Sequence, residues 1–204
     1  MIRSLQLGPA WHFSRIGSRL PQARSFMSMA ECIHKVPDLM VMRHSKSAYP
    51  LGIADHDRPL NERGCRDAQA ARQWFAQMSA DVDEVWVSSA ERAQQTWALV
   101  EPGLHSSTST LTSVTTLADL YEASLDELMS LLSTCTAKTL LVIAHNPGLE
   151  QLISTLVGMD PLGWLPSIRM KYPTGAICTM RFGAWTDLAP GQAELISYVV
   201  PRAS

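Results

Sequence analysis

Residues 139–150, which read TLLVIAHNPGLE, contain the stretch that decides the fold class. Five apolar residues in a row stop at His145, a pattern typical of a short strand buried on both faces. Asn146 is a good helix cap and Pro147 fits the first helical position, so we expect a helix directly after the strand, running to about Val157. A buried strand followed at once by a helix is the repeating unit of a parallel α/β sheet.

Similar strand and helix patterns recur along the rest of the chain. Strands are predicted at 39–42, 84–87, 176–182 and 193–199, a short strand or turn at 117–121, helices from Asn61 to about Met78, from Ser89 to about Val100 and at 125–132, and loops at 45–60 and 103–116. This alternation predicts an α/β fold: a three-layer sandwich with a mostly parallel central sheet and helices on both faces. The last two strands are expected to form a hairpin or an antiparallel edge.

Composition excludes several classes of protein. The 204 residues suggest one domain with a tail, and 46% of them are hydrophobic, enough for a substantial core. No apolar run approaches the roughly 18 residues that a membrane span needs. The formal net charge of -2 shows no basic excess, so neither a membrane nor a nucleic acid is an expected partner. The four cysteines form no CxxC pair, which argues against a zinc or redox motif.

The first 35 residues differ from the rest of the chain. Residues 1–30 carry four arginines and five serines, and no acidic residue precedes Glu31. This composition is typical of a mitochondrial transit peptide, although a disordered tail and a start codon chosen too far upstream are equally compatible with it. We therefore predict an N-terminal extension at 1–35 and a single folded domain at 36–204.

Polar and reactive side chains follow three of the predicted strands. Arg43 and His44 end the first, Ser88 and then Arg92 follow the second, and His145 ends the third. Ligands of open α/β sheets bind beyond the carboxyl ends of the strands, so these side chains are expected to meet in one crevice. Arginine offers a planar fork of donors that fits phosphate, and a neutral imidazole is a competent nucleophile toward phosphorus. A lone histidine at a strand end is usually structural, so the prediction of a phosphate-binding site depends on these side chains meeting in one crevice.

At these residues the sequence resembles the histidine phosphatase superfamily, also called the phosphoglycerate-mutase-like superfamily. The resemblance is carried by four ordered motifs: Arg43-His44-Ser45, Asp57-Arg58-Pro59-Leu60 with Gly64, Ser88 with Arg92 and Thr96, and Ala144-His145-Asn146-Pro147-Gly148-Leu149. The stretches 43–47, 55–60, 120–123 and 145–150 are similar to the short, cytoplasmic branch of protein-phosphohistidine phosphatases. Ser45 and Ala144 stand where the family usually has glycine, and both are small enough to let phosphate approach the backbone.

The resemblance implies a phosphoglycerate-mutase-like fold, a cytoplasmic location and a reaction that needs no cofactor or metal. A mitochondrial location is the alternative if residues 1–30 act as a transit peptide. His44 would become phosphorylated and then be hydrolysed, while Arg43, Arg92 and His145 would hold the phosphoryl oxygens and stabilise their charge. The run Asp55-His56-Asp57 looks like a metal cluster, but three consecutive side chains rarely converge on one ion.

Four further residues are candidates for the site. Glu122 is either the acid that protonates a leaving alcohol or a carboxylate that interacts with a helix dipole. Arg58 either contacts substrate or pairs with the adjacent Asp57, and Ser47 either binds phosphate or orders the turn. Asn146 is a further candidate for substrate binding.

The resulting functional hypothesis is a phosphatase that works through a phosphohistidine on His44. Protein phosphohistidine is the first expected substrate, and the partner is a phosphorylated protein or a small phosphoester. A small-molecule phosphatase, a phosphomutase of the same superfamily and a non-catalytic phosphoprotein-binding module are the alternatives. Nothing in the sequence indicates an oligomeric state.

Overall fold

The computed structural model of the protein describes residues 37–78, 82–104 and 113–203. The predicted N-terminal extension at 1–35 and most of the predicted loop at 103–116 lie outside these residues. The division between extension and domain therefore remains a prediction. None of the helices in the described ranges is long and apolar enough to cross a membrane.

The described residues form one seven-stranded sheet with helices packed against it. The strands are β1 Asp38–Arg43, β2 Glu84–Ser88, β3 Ser113–Leu117, β4 Thr139–Ala144, β5 Val157–Met159, β6 Ile177–Arg181 and β7 Ala193–Val199. The helices are α1 Glu62–Met78, α2 Glu91–Val100, α3 Leu125–Leu132, α4 Gly148–Leu156 and α5 Leu165–Met170, with short 3₁₀ turns at Glu101–Gly103, Ala118–Leu120 and Trp185–Asp187. The strand order is β3-β2-β4-β1-β6-β7-β5, and β6 runs antiparallel to both of its neighbours.

Alternate side chains of the central strands supply two separate cores. Leu39 and Val41 face a cluster that contains the buried residues of α3 and α4. Met40 and Met42 face the opposite cluster, which contains Phe75 of α1 and the buried apolar residues of α2. Because successive side chains of a strand point to opposite faces, strands buried on both sides must be apolar throughout. The predicted three-layer α/β sandwich is therefore confirmed.

One part of the predicted secondary structure is wrong, because strand β3 lies largely inside the segment predicted as a loop. Of the strand or turn predicted at 117–121, the structure has the turn, a 3₁₀ turn at Ala118–Leu120. Strand β3 lies at the edge of the sheet, and most of its side chains are exposed. It pairs with β2 through backbone hydrogen bonds, which leave no hydrophobic pattern in the sequence. The short elements β5 and α5 were not predicted either.

The predicted cap of α4 is also wrong. Pro147, rather than Asn146, occupies the N-cap position, and no side chain caps this helix. The Asn146 side chain instead donates from Nδ2 to the carbonyl oxygen of Tyr172 at 3.3 Å. By contrast, Asn61 accepts from the amide of Gly64 at 2.8 Å, and Ser124 forms a capping box with Glu127, as their positions before α1 and α3 lead one to expect.

Candidate active site

The carboxyl ends of three adjacent parallel strands bring both histidines together. Strand β4 lies between β1 and β2, so the residues that follow these strands meet at one edge of the sheet. The ring centroids of His44 and His145 are 5.0 Å apart. His44 is 7% exposed and His145 is 5% exposed, so both rings are largely removed from water.

Hydrogen bonds determine which nitrogen of His44 is available for chemistry. Its Nδ1 lies 2.7 Å from the carbonyl oxygen of Ser45. A carbonyl oxygen can only accept, so Nδ1 carries the hydrogen and Nε2 keeps its lone pair. The Nε of Arg92 donates to this Nε2 at 3.3 Å. His44 Nε2 is therefore a buried nucleophilic nitrogen directed at a guanidinium group.

The environment keeps both imidazoles neutral. Burial, followed by the charge of the neighbouring His145, lowers the pKa of His44 to about 3. Burial and the charge of Arg92 lower the pKa of His145 to about 3. Neutral imidazole retains its lone pair, so His44 is a nucleophile over the whole physiological pH range.

The Ser88, Arg92 and Thr96 motif acts on both histidines. Ser88 Oγ lies 2.7 Å from Nε2 of His145, Arg92 contacts His44, and Thr96 Oγ1 accepts from the amide of Ser45 at 3.0 Å. Arg92 and Thr96 are four residues apart on α2 and so share one face of the helix. The spacing of the motif therefore positions the ring of His44 and the backbone amide that follows it.

Gly64 explains another part of the sequence pattern. A Cβ atom at this position would lie 2.0 Å from the carbonyl oxygen of Lys46. The start of α1 thus packs directly against the backbone that follows His44, and any larger residue would displace one of the two segments.

Unpaired polar atoms are concentrated at this site. Among the described residues, four buried side-chain nitrogen or oxygen atoms have no hydrogen-bond partner: Arg43 Nε, Ser45 Oγ, His145 Nδ1 and Asn146 Oδ1. Arg43 is held from its other end, where Nη1 donates to the carbonyl oxygen of Tyr172 at 2.8 Å. Buried unpaired polar groups are costly, so their concentration here indicates a site built for a polar ligand.

All eight residues singled out from the sequence line one pocket. The set is Arg43, His44, Ser47, Arg58, Arg92, Glu122, His145 and Asn146. Lys46, Tyr49, Asp55 and Thr174 complete the lining. The pocket is therefore polar, with four cationic side chains, and its chemistry suits an anion.

The loop between β1 and α1 holds Arg58 in a different way from the one predicted. Its Nη1 is paired with Asp55 rather than with the adjacent Asp57, and its Nη2 donates to Ser47 Oγ at 2.5 Å. The guanidinium also lies over the ring of Tyr49, 3.5 Å from the centroid. Ser47 therefore orders the loop and contacts the pocket at the same time.

Glu122 stands at the rim of the pocket. Its side chain is exposed and its backbone φ is 52°, in the left-handed region that L-residues rarely adopt. The carboxylate is thus within the lining but in contact with solvent. Its role as an acid remains a prediction.

Asp55 lines the pocket and Tyr121 contacts it, although neither was singled out from the sequence as a site residue. Asp55 accepts from Arg92 Nη2 at 3.0 Å and from the hydroxyl of Tyr121 at 2.9 Å. The neighbouring His56 turns away, toward Ser89, so the run of three polar residues does not converge. No group of three His, Cys, Asp or Glu side chains in the described part of the chain could hold a metal ion.

Acid is expected to destabilise the folded protein through the two buried histidines. Their pKa of about 3 lies below the usual 6.5, so the unfolded chain binds more protons as the pH falls. The stability they contribute is complete above pH 6.5 and is lost as the pH falls toward about 3. Between pH 7.5 and pH 5 each histidine should remove about 2 kcal/mol from the free energy of unfolding.

Denaturant unfolding at both pH values measures this loss. The variant His44→Gln/His145→Gln should lose about 4 kcal/mol less than the wild type over the same interval. An equal pH dependence in the two proteins would contradict the proposed burial of neutral imidazoles.

The sequence is similar to a known family and to a mycobacterial protein. The model of the histidine phosphatase superfamily (branch 1) matches residues 39–131. An uncharacterized protein of Mycobacterium tuberculosis is 38% identical over 169 residues, which cover 79% of this chain and 100% of that protein.

Two solved structures share the fold. One, provisionally assigned as the phosphohistidine phosphatase SixA of Nakamurella multipartitia, is 31% identical with a TM-score of 0.69, and the match covers 82% of this chain and 98% of that chain. The protein histidine phosphatase SixA complexed with tungstate is 23% identical with a TM-score of 0.64, over 80% of this chain and 97% of that chain. At that identity, the second likeness bears on the fold alone.

Proposed function

Because the chain belongs to the histidine phosphatase superfamily, we propose that it removes phosphoryl groups from phosphohistidine on proteins through a phosphorylated His44. The observation that carries this proposal is the contact between Arg92 Nε and the lone pair on His44 Nε2, at 3.3 Å. A nucleophilic nitrogen and a phosphate-binding guanidinium thus share one buried site.

The proposed reaction has two displacement steps. His44 Nε2 attacks phosphorus in line, so that the new N–P bond forms as the bond to the substrate nitrogen breaks. The departing imidazole keeps the electron pair and takes a proton from solvent. Water then attacks the phosphorylated His44, the N–P bond breaks, and inorganic phosphate leaves.

The lining of the pocket supports both steps. Arg43 Nε and His145 Nδ1 are buried atoms without a partner, and they can donate to phosphoryl oxygens as charge develops on them. Ser88 Oγ accepts from the amide of Ala90 at 3.4 Å, so its own hydrogen is available for His145 Nε2. When it donates there, the ring proton of the neutral imidazole sits on Nδ1, the nitrogen with no other partner.

The leaving group determines whether an acid is required. An imidazole leaves readily, whereas an alcohol needs a proton from the enzyme. Glu122 is exposed at the rim and is the candidate for that proton when the substrate is an ester. Hydrolysis of phosphohistidine is therefore expected to depend less on Glu122 than hydrolysis of an ester does.

Exposed apolar side chains beside the pocket support a protein substrate. Tyr49, Leu51 and Ile53 are 71%, 101% and 47% exposed and lie within five residues of one loop. Tyr49 also lines the pocket, so the exposed apolar residues of this loop begin at the site of the phosphoryl group. A phosphorylated side chain that reaches His44 would bring its own polypeptide against the loop, whereas a small phosphoester would leave the loop uncovered.

A substrate panel tests the proposed function. We expect phosphate release from a histidine-phosphorylated protein to exceed release from a sugar phosphate or a nucleotide. Dependence on a bisphosphate primer would identify a mutase instead. Stable binding of the phosphoprotein with no phosphate release would identify a binding module.

Variants of the exposed loop sharpen this test. Leu51→Ser/Ile53→Ser should lower kcat/KM for the phosphoprotein by about tenfold, as expected from the loss of partly buried apolar contacts. Hydrolysis of phosphoramidate, which cannot reach the loop, should stay within about twofold of the wild type. Leu162→Ser, which removes an exposed leucine outside the pocket lining, is the matched control. Equal losses with both substrates would refute docking at this loop.

A further inference from the structure

Asp55 places a carboxylate among the cations of the pocket. Its Oδ2 accepts from Arg92 Nη2 at 3.0 Å, and its Oδ1 is paired with Arg58 Nη1. Its backbone oxygen accepts from Arg92 Nη1 at 2.6 Å. Both terminal nitrogens of Arg92 are therefore engaged by a single residue, and only Nε is directed at His44.

Asp55 supplies one of the two negative charges in the pocket lining. Arg43, Lys46, Arg58 and Arg92 are opposed by the carboxylates of Asp55 and Glu122, which leaves two net positive charges with neutral histidines. The hydrogen bond from Tyr121 and the pairing with Arg58 hold the pKa of Asp55 at about 2, so the carboxylate is ionised at neutral pH. An incoming phosphoryl group thus encounters the Asp55 carboxylate, which already pairs with two potential phosphate donors, Arg58 and Arg92.

We propose that Asp55 competes with bound phosphate for Arg58 and Arg92 and so limits how tightly the pocket retains inorganic phosphate. This inference rests on the proposed function, because it takes the pocket to be the site of the phosphoryl group. The phosphoryl group on His44 is held by a covalent bond, so competition from Asp55 does not release it. Free phosphate is held only by charge and hydrogen bonds, so it is the species that Asp55 helps to release.

A purely structural role for Asp55 predicts the opposite effect. If the carboxylate only oriented Arg92, its removal would disorder the guanidinium and weaken phosphate binding. If it competes with phosphate, its removal strengthens phosphate binding. The sign of the change in phosphate affinity therefore separates the two roles.

The experiment measures binding of inorganic phosphate to the full chain by calorimetry at pH 7. Asp55→Asn should lower the dissociation constant by about tenfold, the size expected from removing one partly screened charge a few ångströms from the anion. Asp55→Ser removes the same charge without leaving an amide, and it should change the affinity in the same direction. An unchanged or raised dissociation constant in both variants would overturn the proposal.

Asp57→Asn is the matched control. Asp57 lies two residues away in the same loop, its side chain is 70% exposed, and it contacts His56 rather than an arginine. The same net change in charge there should leave phosphate affinity within about twofold of the wild type, because screening is strong at an exposed site. An equal gain in both variants would show that total charge is responsible, and it would also overturn the proposal.

Failure of this inference is distinguishable from failure of the proposed function. Calorimetry with phosphate does not require turnover, so an Asp55 effect can appear in a protein that hydrolyses nothing. Conversely, a wild type that releases phosphate from phosphohistidine protein, but whose phosphate affinity is unaffected at Asp55, would retain the proposed function and lose this inference.

Discussion

Replacing His44 with alanine is expected to lower kcat by at least about 10⁴-fold, because the group that forms the bond to phosphorus is removed. The remaining cations can still bind a phosphoryl group, so the loss should appear in kcat more than in binding. His145 is not expected to replace the ring, since its Nε2 accepts from Ser88 Oγ at 2.7 Å and its Nδ1 then carries the ring hydrogen.

Rapid quenching with a radiolabelled histidine-phosphorylated protein measures the intermediate directly. The wild type should carry an acid-labile, alkali-stable label, and His44→Ala should carry none. The control is His56→Ala, which removes a histidine that contacts Ser89 and Asp57 outside the pocket lining. Its rate should stay within a few-fold of the wild type. Substantial turnover by His44→Ala would refute His44 as the nucleophile.

The positions of the main catalytic candidates could be predicted because they depend on local pattern and on one rule of sheet geometry. Each candidate follows a short apolar run, and parallel strands share one carboxyl edge. His44 and His145 needed no further information to be placed near each other. The pairing of β1 with β4 then brings their rings to 5.0 Å.

Contacts between distant loops could not be predicted in the same way. Asp55 appeared only as one of three adjacent polar residues, and its contacts with Arg92 and Tyr121 span 37 and 66 residues of sequence. Local charge suggested Asp57 as the partner of Arg58, but the turn of the loop brings Asp55 there instead. Strand β3 was missed for a related reason: its stabilisation comes from hydrogen bonds to β2 and not from buried side chains.

Asn146 shows how a strong local signal can be wrong near a binding site. Asparagine before proline at a strand end normally caps the following helix. Here the side chain donates to Tyr172, whose carbonyl oxygen also accepts from Arg43. The residue therefore supports the wall of the pocket instead of the helix. Local rules of this kind are expected to fail where side chains serve a site.

Substitution of Arg92 with lysine is expected to lower kcat/KM by about 10²–10³-fold, although it preserves the charge. Lysine has no Nε donor to direct at His44 Nε2, and a single ammonium cannot reproduce the fork that contacts both the backbone and the side chain of Asp55. Since Arg92 is 5% exposed, water cannot replace the lost donors easily.

Single-turnover kinetics with phosphoramidate should place this loss in the phosphorylation of His44, where Arg92 faces the incoming phosphoryl group. Arg66→Lys is the matched control, because Arg66 is 60% exposed on α1 and its ion pair with Glu62 is long, at 4.0 Å. Its rate constants should stay within about twofold of the wild type. If the Arg92→Lys variant becomes phosphorylated on His44 as fast as the wild type does, a single positive charge is sufficient at this position. The planar donor fork of the guanidinium would then not be required.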